Sequence, residues 1–583
     1  MGLLSVFRSE GPIGRAIYAC RGHFYAAAVF SAFINALYLA PTIFMLQVYD
    51  RVLSSGSKGT LTLLGLVLTS AITALVGLDW LRARILIRCS AQFDLDLARP
   101  VMREILGQRG LSRSERVRHM RDFDLLRQTI AGSGALAAFD APWIPVYIAA
   151  AFLLHPLLGG LCILACLAMF ALAFINERVT APLIGAANNS AAQAYARQDF
   201  TSSWAEEVRA LGMVEHLVRH QSMDRAGMIG LQADASFAAN DVGALIKFLR
   251  LALQSAALGV AALLALDGKL SPSALMGGSF LLIRCLAPVE QIVAAWKGIV
   301  SSRNAYNGLA KLLDKGALEA RKTALPRPKG DISVEGVLVL SPHGDRVGLA
   351  DVSFAISAGE MLAVTGPSGS GKSSLMRALA GAAVIARGAI RLDGASLGDW
   401  PAQALAQHVG YMPQEFTLFP GTIKENISRF ANWVDQDEVD RLTVEAAKRI
   451  GAHEMILRTP NGYDTRVGLG GLGMSGGQTQ RIALARAMFG SPAVLVLDEP
   501  DAHLDLEGES ALAAALHQLR LEGVTIIAAA HRGGIVSFSD KMIVLNAGRV
   551  QAFGALRDLA AAMRRSALEE PAAGHAEIRR ATA

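Results

Sequence analysis

Residues 366–373 read Gly-Pro-Ser-Gly-Ser-Gly-Lys-Ser. The apolar run Leu362-Ala363-Val364-Thr365 precedes them and a helical pattern follows, which is the strand–loop–helix setting in which such a turn wraps phosphates. Gly366, Pro367, Ser368, Gly369, Ser370 and Gly371 form the loop, whose available N–H groups face the phosphates. Lys372 is placed to reach the β/γ oxygens, and Ser373, followed by Ser374, offers a hydroxyl to Mg²⁺. A second constellation closes the apolar run Val494 to Leu497, which ends in Asp498-Glu499. A buried strand that ends in two carboxylates delivers them to the mouth of a parallel sheet, where ligands bind. There Asp498 would hold Mg²⁺ through its water shell, and Glu499 would orient or deprotonate an attacking water. Gln414, in Tyr411-Met-Pro-Gln414, has a neutral side chain suited to sensing Mg²⁺ and that water; His531, after the run Thr525 to Ala528, can hydrogen-bond a γ-phosphate. Alone, either would be an ordinary polar loop residue.

A third feature is Ser475-Gly476-Gly477-Gln478, set between the glycines 468, 470, 471 and 473 and the apolar-periodic segment Ile482 to Phe489. It reads as a loop feeding a helix whose first residues are Ser475, Gly476 and Gly477, a second anion site beside the phosphate loop.

These motifs occupy the second half of a chain of 583 residues, 52% hydrophobic and 18% charged, with a mean hydropathy of +0.35. Such a balance directs attention to membrane spans. A net charge of +6 is too small over this length to argue for nucleic acid. The five cysteines (Cys20, Cys89, Cys162, Cys166 and Cys285) all fall in the first half. Cys162 and Cys166 lie in an apolar run without His or acid beside them and read as small core residues rather than a metal pair.

Apolar runs of spanning length fall at 24–48 and 60–78. Residues 141–176 contain no Asp, Glu, Lys or Arg, and His155-Pro156 breaks them into a hairpin of two helices; further runs follow at 245–266 and 273–295. That makes six spans. Between Arg82 and Arg127 eleven arginines stand against six acids, whereas the short loops carry only Arg51, Lys58 and Lys269 as basic residues. The long loops are therefore expected to be cytoplasmic, with both termini on that side, and their polar, proline-poor sequence predicts helices that continue beyond the spans. Arg284, with Glu290 six residues on, lies inside the sixth span. It reads either as lining a translocation path or as a structural pair or snorkelling side chain. Asn35 and Gln254 read as helix–helix hydrogen-bonding groups.

The predicted organisation is a cytoplasmic lead-in at 1–22 and an all-α six-span domain at 23–314 with long cytoplasmic loops at 82–134 and 177–241. A proline-containing linker at 315–330 leads to an α/β phosphate-loop domain at 331–563, and 564–583 reads as a frayed or disordered tail.

The ordered set of phosphate loop, Gln414, Ser-Gly-Gly-Gln, Asp498-Glu499, Asp505 and His531 resembles the ATP-binding cassette family, and six spans ahead of it look like an ABC exporter half-transporter. Met45-Leu-Gln-Val-Tyr-Asp-Arg-Val-Leu53, Phe139-Asp-Ala-Pro-Trp143, Leu286-Ala-Pro-Val-Glu290 and Gly410-Tyr-Met-Pro-Gln-Glu-Phe-Thr-Leu-Phe419 are similar to the type I secretion permease/ATPase family, in its PrtD-like branch that exports proteases, lipases and related RTX proteins. The resemblance implies an ATP- and Mg²⁺-dependent homodimer in the inner membrane of a Gram-negative bacterium. Its implied partners are a periplasmic adaptor (membrane fusion protein), a TolC-like outer-membrane channel and the surrounding lipid. Its cargo would be an unfolded polypeptide with a C-terminal signal; an exporter of lipid, peptide or small molecules is the alternative. In the cassette arrangement Ser475 and Gly477 of one chain contact the ATP of its partner, and the resemblance also implies nucleotide binding by Gly476, Gln478 and Asp505. Four positions depart from the pattern. Ser341 stands where many cassettes have an adenine-stacking aromatic, and Leu469 where exporters have a glutamate. Met474 replaces a leucine and Thr479 an arginine.

Overall fold

The computed structural model describes residues 11–319, 322, 325–341, 346–431, 435–468, 471, 473–502, 504–530, 533–559 and 561, without the side chains of 113, 272, 273, 297 and 315–319. The chain divides into two compact units, Met1–Ala317 and Leu318–Ala583.

The first unit is helical. Helices α1 (Pro12–Ala19), α2 (Arg21–Leu37) and α3 (Ala40–Gln47) precede α4 (Lys58–Gly107). Then come α5 (Arg113–Ile130), α6 (Ser133–Asp140), α7 (Ile144–Leu154), α8 (Pro156–Ser203), α9 (Val214–Leu266), α10 (Pro272–Ala294) and α11 (Trp296–Glu319). Among the described residues six helical segments are long and apolar enough to cross a membrane. The break expected at His155-Pro156 is present. His155 is extended (φ −164°, ψ 139°), as a residue before proline prefers, and its Nδ1 accepts from the Leu157 N–H at 3.2 Å, capping α8. Helices α4, α8 and α9 contain 50, 48 and 53 residues. At 1.5 Å per residue they reach about 70–80 Å, more than twice a hydrocarbon core of ~30 Å. The polar stretches 82–134 and 177–241 are largely continuations of these helices. None of the most apolar stretch of α4 is buried within the unit, so its Leu63, Leu66, Val67 and Val76 face outward. Lipid or another chain must cover such a surface.

One set of polar groups inside this unit is joined into a network. Arg82 of α4 is buried and donates through Nη1 to Asp140 Oδ1 (2.6 Å) and Ser31 Oγ (2.5 Å), and through Nη2 to Asp79 (2.7 Å). Asn35 donates to the same Asp140 oxygen (2.8 Å) and accepts from the Tyr147 hydroxyl (2.7 Å). Asn35 is thus the interhelical hydrogen-bonding group its sequence setting suggests. Asp140, from the Phe139–Trp143 stretch, becomes the counter-ion that lets a guanidinium sit among α2, α4 and α7. Removing one member of a buried pair strands the other, a loss of about 3–5 kcal/mol. Asp140→Ala is therefore expected to lower the melting temperature of the purified protein sharply, and Arg82→Ala/Asp140→Ala to cost less than the two single losses added. Strict additivity in a double-mutant thermal-unfolding cycle would show that the two do not interact.

The second unit is α/β. Strands β1 (Ile332–Leu340), β2 (Val347–Ile356) and β4 (Ile385–Leu392), with the two-residue β5 (Ala395–Ser396), form an antiparallel sheet in the order β2-β1-β4-β5. The second sheet contains β3 (Met361–Thr365), β6 (Val409–Met412), β7 (Val494–Asp498), β8 (Thr525–Ala529), β9 (Lys541–Asn546) and β10 (Arg549–Ala555). Its order is β10-β9-β3-β8-β7-β6, parallel except at β10. The three runs read as buried parallel strands are thus neighbours at its centre, and every residue of β7 and β8 is buried. Val364, Ala529 and Asp498 stand side by side across β3, β8 and β7. This register brings the start of the phosphate loop and the two carboxylates to one edge. Helix α12 (Lys372–Leu379) follows β3, α13 (Gly476–Met488) precedes β7 and α14 (Leu506–Leu521) follows it.

Candidate nucleotide site

The phosphate loop joins β3 to α12. Gly366 has φ +147°, and a Cβ there would lie 2.2 Å from the Leu545 carbonyl oxygen, so only glycine lets the loop pass β9 this closely. Pro367, Ser368 and Gly369 are exposed at the loop's mouth, while Ser370 is buried. Lys372, at the first turn of α12, is buried and donates to the Gly366 and Pro367 carbonyls at 2.8 and 3.1 Å. Its ammonium is thereby held over the loop. The Ser374 hydroxyl accepts from Arg377 at 3.5 Å.

The chemistry-bearing side chains converge here. Ser373 Oγ donates to Gln414 Oε1 (3.3 Å), and Gln414 Nε2 donates to Glu499 Oε2 (3.0 Å). Gln414 follows β6 and Glu499 follows β7, so two parallel strands and one helix N-terminus supply a continuous polar line. Glu499 has φ +52°, an unusual conformation for a non-glycine residue, and its N–H donates to the Ala529 carbonyl at 3.0 Å. That turn ends the strand and brings the side chain out of the core, whereas Asp498 remains inside, 1% exposed. Burial raises the Asp498 carboxyl above its usual range; the Ser373 hydroxyl pulls it back and the Glu499 charge pushes it further up.

One buried Asp498 oxygen, Oδ1, has no hydrogen-bond partner. An orphaned carboxylate oxygen beside a serine hydroxyl and a glutamine amide is a donor set suited to a hard divalent cation that takes its remaining ligands from phosphate and water. Among the described residues no group of three or more His, Cys, Asp or Glu forms an all-protein metal site.

Ser475 is the N-cap of α13 rather than its first residue. Its Oγ accepts from the Gln478 N–H (3.3 Å), and Gln478 Oε1 accepts from the Ser475 N–H (2.9 Å), a capping box that makes Gly476 the first helical residue. The N–H groups of Gly476 and Gly477 lie where a helix has no carbonyl one turn earlier to accept from them. Asp505 caps α14: its Oδ1 accepts from Gly508 N–H (2.8 Å) and Arg481 Nη2 (2.6 Å), and those two contacts lower its carboxyl. Met474 packs on the core, Thr479 is buried, and the Ser341 N–H donates to the Arg346 carbonyl (2.8 Å). His531 and Leu469 lie outside the described residues. In the first unit Arg284 does not pair with Glu290. Its guanidinium lies 3.9 Å from the Tyr38 ring centroid, and Glu290 meets Arg250 of α9 at 3.2 Å.

Two connections escape a reading by motif. Gln480 is fully buried and donates to the Pro500 carbonyl at 2.6 Å, tying α13 to the turn after Glu499. Arg481 joins the same helix to Asp505. Their position two and three residues after Gln478 is the one sequence cue to either.

The profile of the family described as ABC transporter matches residues 349–502. The type I secretion system ATP-binding protein PrsD of Rhizobium meliloti (strain 1021) is 39% identical over 547 residues, 92% of this chain and 92% of that protein. The chain belongs to the type I secretion ATP-binding proteins of the ABC transporter family. The toxin RTX-I translocation ATP-binding protein of Actinobacillus pleuropneumoniae is 26% identical, covering 94% of this chain and 77% of that one. A solved bacterial Atm1-family ABC exporter with ATP bound shares the fold, with a TM-score of 0.79 and 22% identity over 94% of this chain and 96% of the other. This ABC exporter is therefore a multi-pass membrane ATPase that couples nucleotide hydrolysis to protein export.

The raised Asp498 carboxyl has a signed consequence. Its folded value exceeds the unfolded one, so its contribution to stability falls as pH rises from the unfolded value through the folded value, and the ionised form weakens the fold at neutral pH. Asp498→Asn is expected to leave the melting temperature of the nucleotide-free protein at neutral pH unchanged or higher. It should remove the additional thermal shift that Mg²⁺ gives in the presence of ATP. A wild-type Mg²⁺-dependent shift in that variant would separate Asp498 from the cation.

Proposed function

We propose that this ABC exporter moves an unfolded, RTX-type polypeptide (a protease, lipase or similar, with a C-terminal signal) out of the cell in one step. It would work as a homodimer in the inner membrane, both termini and the ATPase unit being cytoplasmic, with a periplasmic adaptor and a TolC-like outer-membrane channel. The RTX-I translocation name of one relative and the secretion-system name of another support that cargo class. The excess of arginine in the stretch 82–127 supports the orientation. Arg284 and Glu290 are candidates to line the path: a cation set on Tyr38 and a carboxylate paired across to α9 put polar groups between apolar helices.

The observation that carries the ATPase mechanism is the Ser373–Gln414–Glu499 line beside Asp498. Lys372 and the loop 366–374 would hold the phosphates. Ser373, Gln414 and Asp498 would hold Mg²⁺, whose charge would offset that of the β- and γ-phosphates. Glu499, oriented by Gln414, would accept the proton of the attacking water, and His531 would bond the γ-phosphate. One phosphate loop and one Ser475–Gln478 segment per chain make two composite sites in a symmetric dimer. In that arrangement Ser475, Gly476, Gly477 and Asp505 serve the partner's ATP, and closure of the two ATPase units rearranges the spans.

Glu499→Gln in purified protein is expected to bind ATP as wild type does and to lose about a hundredfold or more in turnover. Turnover at the wild-type rate would remove Glu499 from the base role. Co-expression with the adaptor, the channel and a repeat-containing candidate cargo tests the export reading. Cargo should appear in the medium only with all parts and an intact Lys372; lipid-stimulated ATPase activity with no adaptor requirement would instead favour a lipid exporter.

A further inference from the structure

Arg429 belongs to none of the motifs above, yet all three of its guanidinium nitrogens are engaged by backbone carbonyls. It lies just beyond the short helix Ile423–Ile427, and both it and Phe430 have positive φ (58° and 53°), so the chain turns sharply there to send the guanidinium inward. Its Nε donates to the Arg486 carbonyl at 2.9 Å, Nη2 to the Ala487 carbonyl at 2.9 Å, and Nη1 to the Ala406 carbonyl. No carboxylate pairs with it among the described residues, and burial, aided by the Arg486 charge, lowers its pKa to about 10.

Arg486 and Ala487 lie in the last turn of α13, where carbonyls have no intrahelical donor and the helix dipole is negative. A planar cation with several fixed donors satisfies two of them at once. Strand β6 presses on the same spot, since a Cβ at Gly410 would lie 2.2 Å from the Ala487 carbonyl oxygen. From the last turn Arg486 reaches back, its Nη2 donating to the Thr417 carbonyl at 2.7 Å and its guanidinium lying 5.6 Å from the Phe419 ring centroid. Phe419 meets Phe430 edge-on at 6.4 Å, and Asn426 holds both the N–H and the carbonyl of Phe419 at 2.8 Å. The segment that follows Gln414 and the C-terminal end of α13 are therefore bound into one block by two arginines.

Ser475 stands at the opposite end of that helix. Thirteen residues span about 20 Å, so a tilt of roughly 10° about the clamped end would carry the Ser475 end by about 3 Å. That is far more than a reacting geometry tolerates. We infer that Arg429 is a positioning residue for ATP hydrolysis, setting the attitude of α13 and hence of Ser475, Gly476 and Gly477, and joining that attitude to the segment that carries Gln414. The inference rests on the reading above that the Ser475 segment serves the partner's ATP.

The test uses the full-length protein in lipid nanodiscs, with steady-state ATP turnover and the affinity for trinitrophenyl-ATP measured side by side. Arg429→Met is expected to lower kcat by about tenfold to a hundredfold and to leave the analogue's affinity within about twofold of wild type, because the phosphate loop is untouched. Arg429→Lys, which keeps the charge without the fork of donors, should recover part of kcat, and it carries the test if Arg429→Met does not fold. Arg486→Met should lower kcat less, and the double variant should be no worse than Arg429→Met. A folded Arg429 variant with wild-type kcat overturns the inference, as does loss of kcat and analogue affinity in parallel with loss of folded protein. Ser475→Arg keeps the two readings apart. If it turns over normally, the composite-site reading fails; if it is inactive while Arg429→Met is normal, the positioning role alone fails.

Discussion

The ATPase unit depends on a strand that is buried along its whole length and still has to end in two acids. In β7 the cost is divided between them. Asp498 stays inside with one oxygen unpartnered, and Glu499 escapes by a turn into the left-handed region, where its side chain meets Gln414. An ionised group in that interior is tolerable only if a cation completes it. The strand end is therefore poised for a metal-bound polyphosphate. The parallel register of β3, β8 and β7 then makes a loop and a carboxylate, some 130 positions apart, into immediate neighbours.

The same economy of buried charge recurs in the helical unit with a different solution. Arg82 has Asp140 as counter-ion and Ser31 as a further partner, and Asn35 and Tyr147 extend the network to α2 and α7. Apolar side chains on these helices can slide against one another at little cost, but a shared guanidinium permits one arrangement. It supplies the specificity that lipid-facing apolar surfaces lack. Arg429 does comparable work at the end of α13, where helix carbonyls rather than a carboxylate receive the guanidinium.

Features with a local cause could be read directly. The break at His155-Pro156 follows from one proline's effect on its neighbour, the continued helices from polar sequence poor in proline, and the three central strands from short β-rich apolar runs. The phosphate loop was legible because Gly366 must be glycine for its own backbone and Lys372 follows at a set spacing. The helix expected from Ser475 begins one residue later, at Gly476, because a serine bonding to the third residue of a helix caps it instead of joining it. Arg284 and Glu290 illustrate the opposite case. Six residues apart on one helix, they read as path-lining groups, a pair or a snorkelling side chain; side chains at that spacing point to different faces, and each meets a partner on another helix.

By itself, then, the sequence determined the two-part architecture, six apolar segments, the phosphate loop and the acids at a strand end, because each is written in spacing within a few turns or one strand. Only tertiary structure decided which groups share a proton, a charge or a carbonyl: Gln414 with Glu499, Gln480 with Pro500, Arg82 with Asp140, Arg429 with the end of α13. Three of these four contacts join residues 57 to 85 positions apart, counting each bond made by Arg429 to α13. The reason is physical. Periodicity and turn chemistry report the conformation of a segment, but a buried polar atom takes as its partner whatever the packing of other segments places within 3 Å of it.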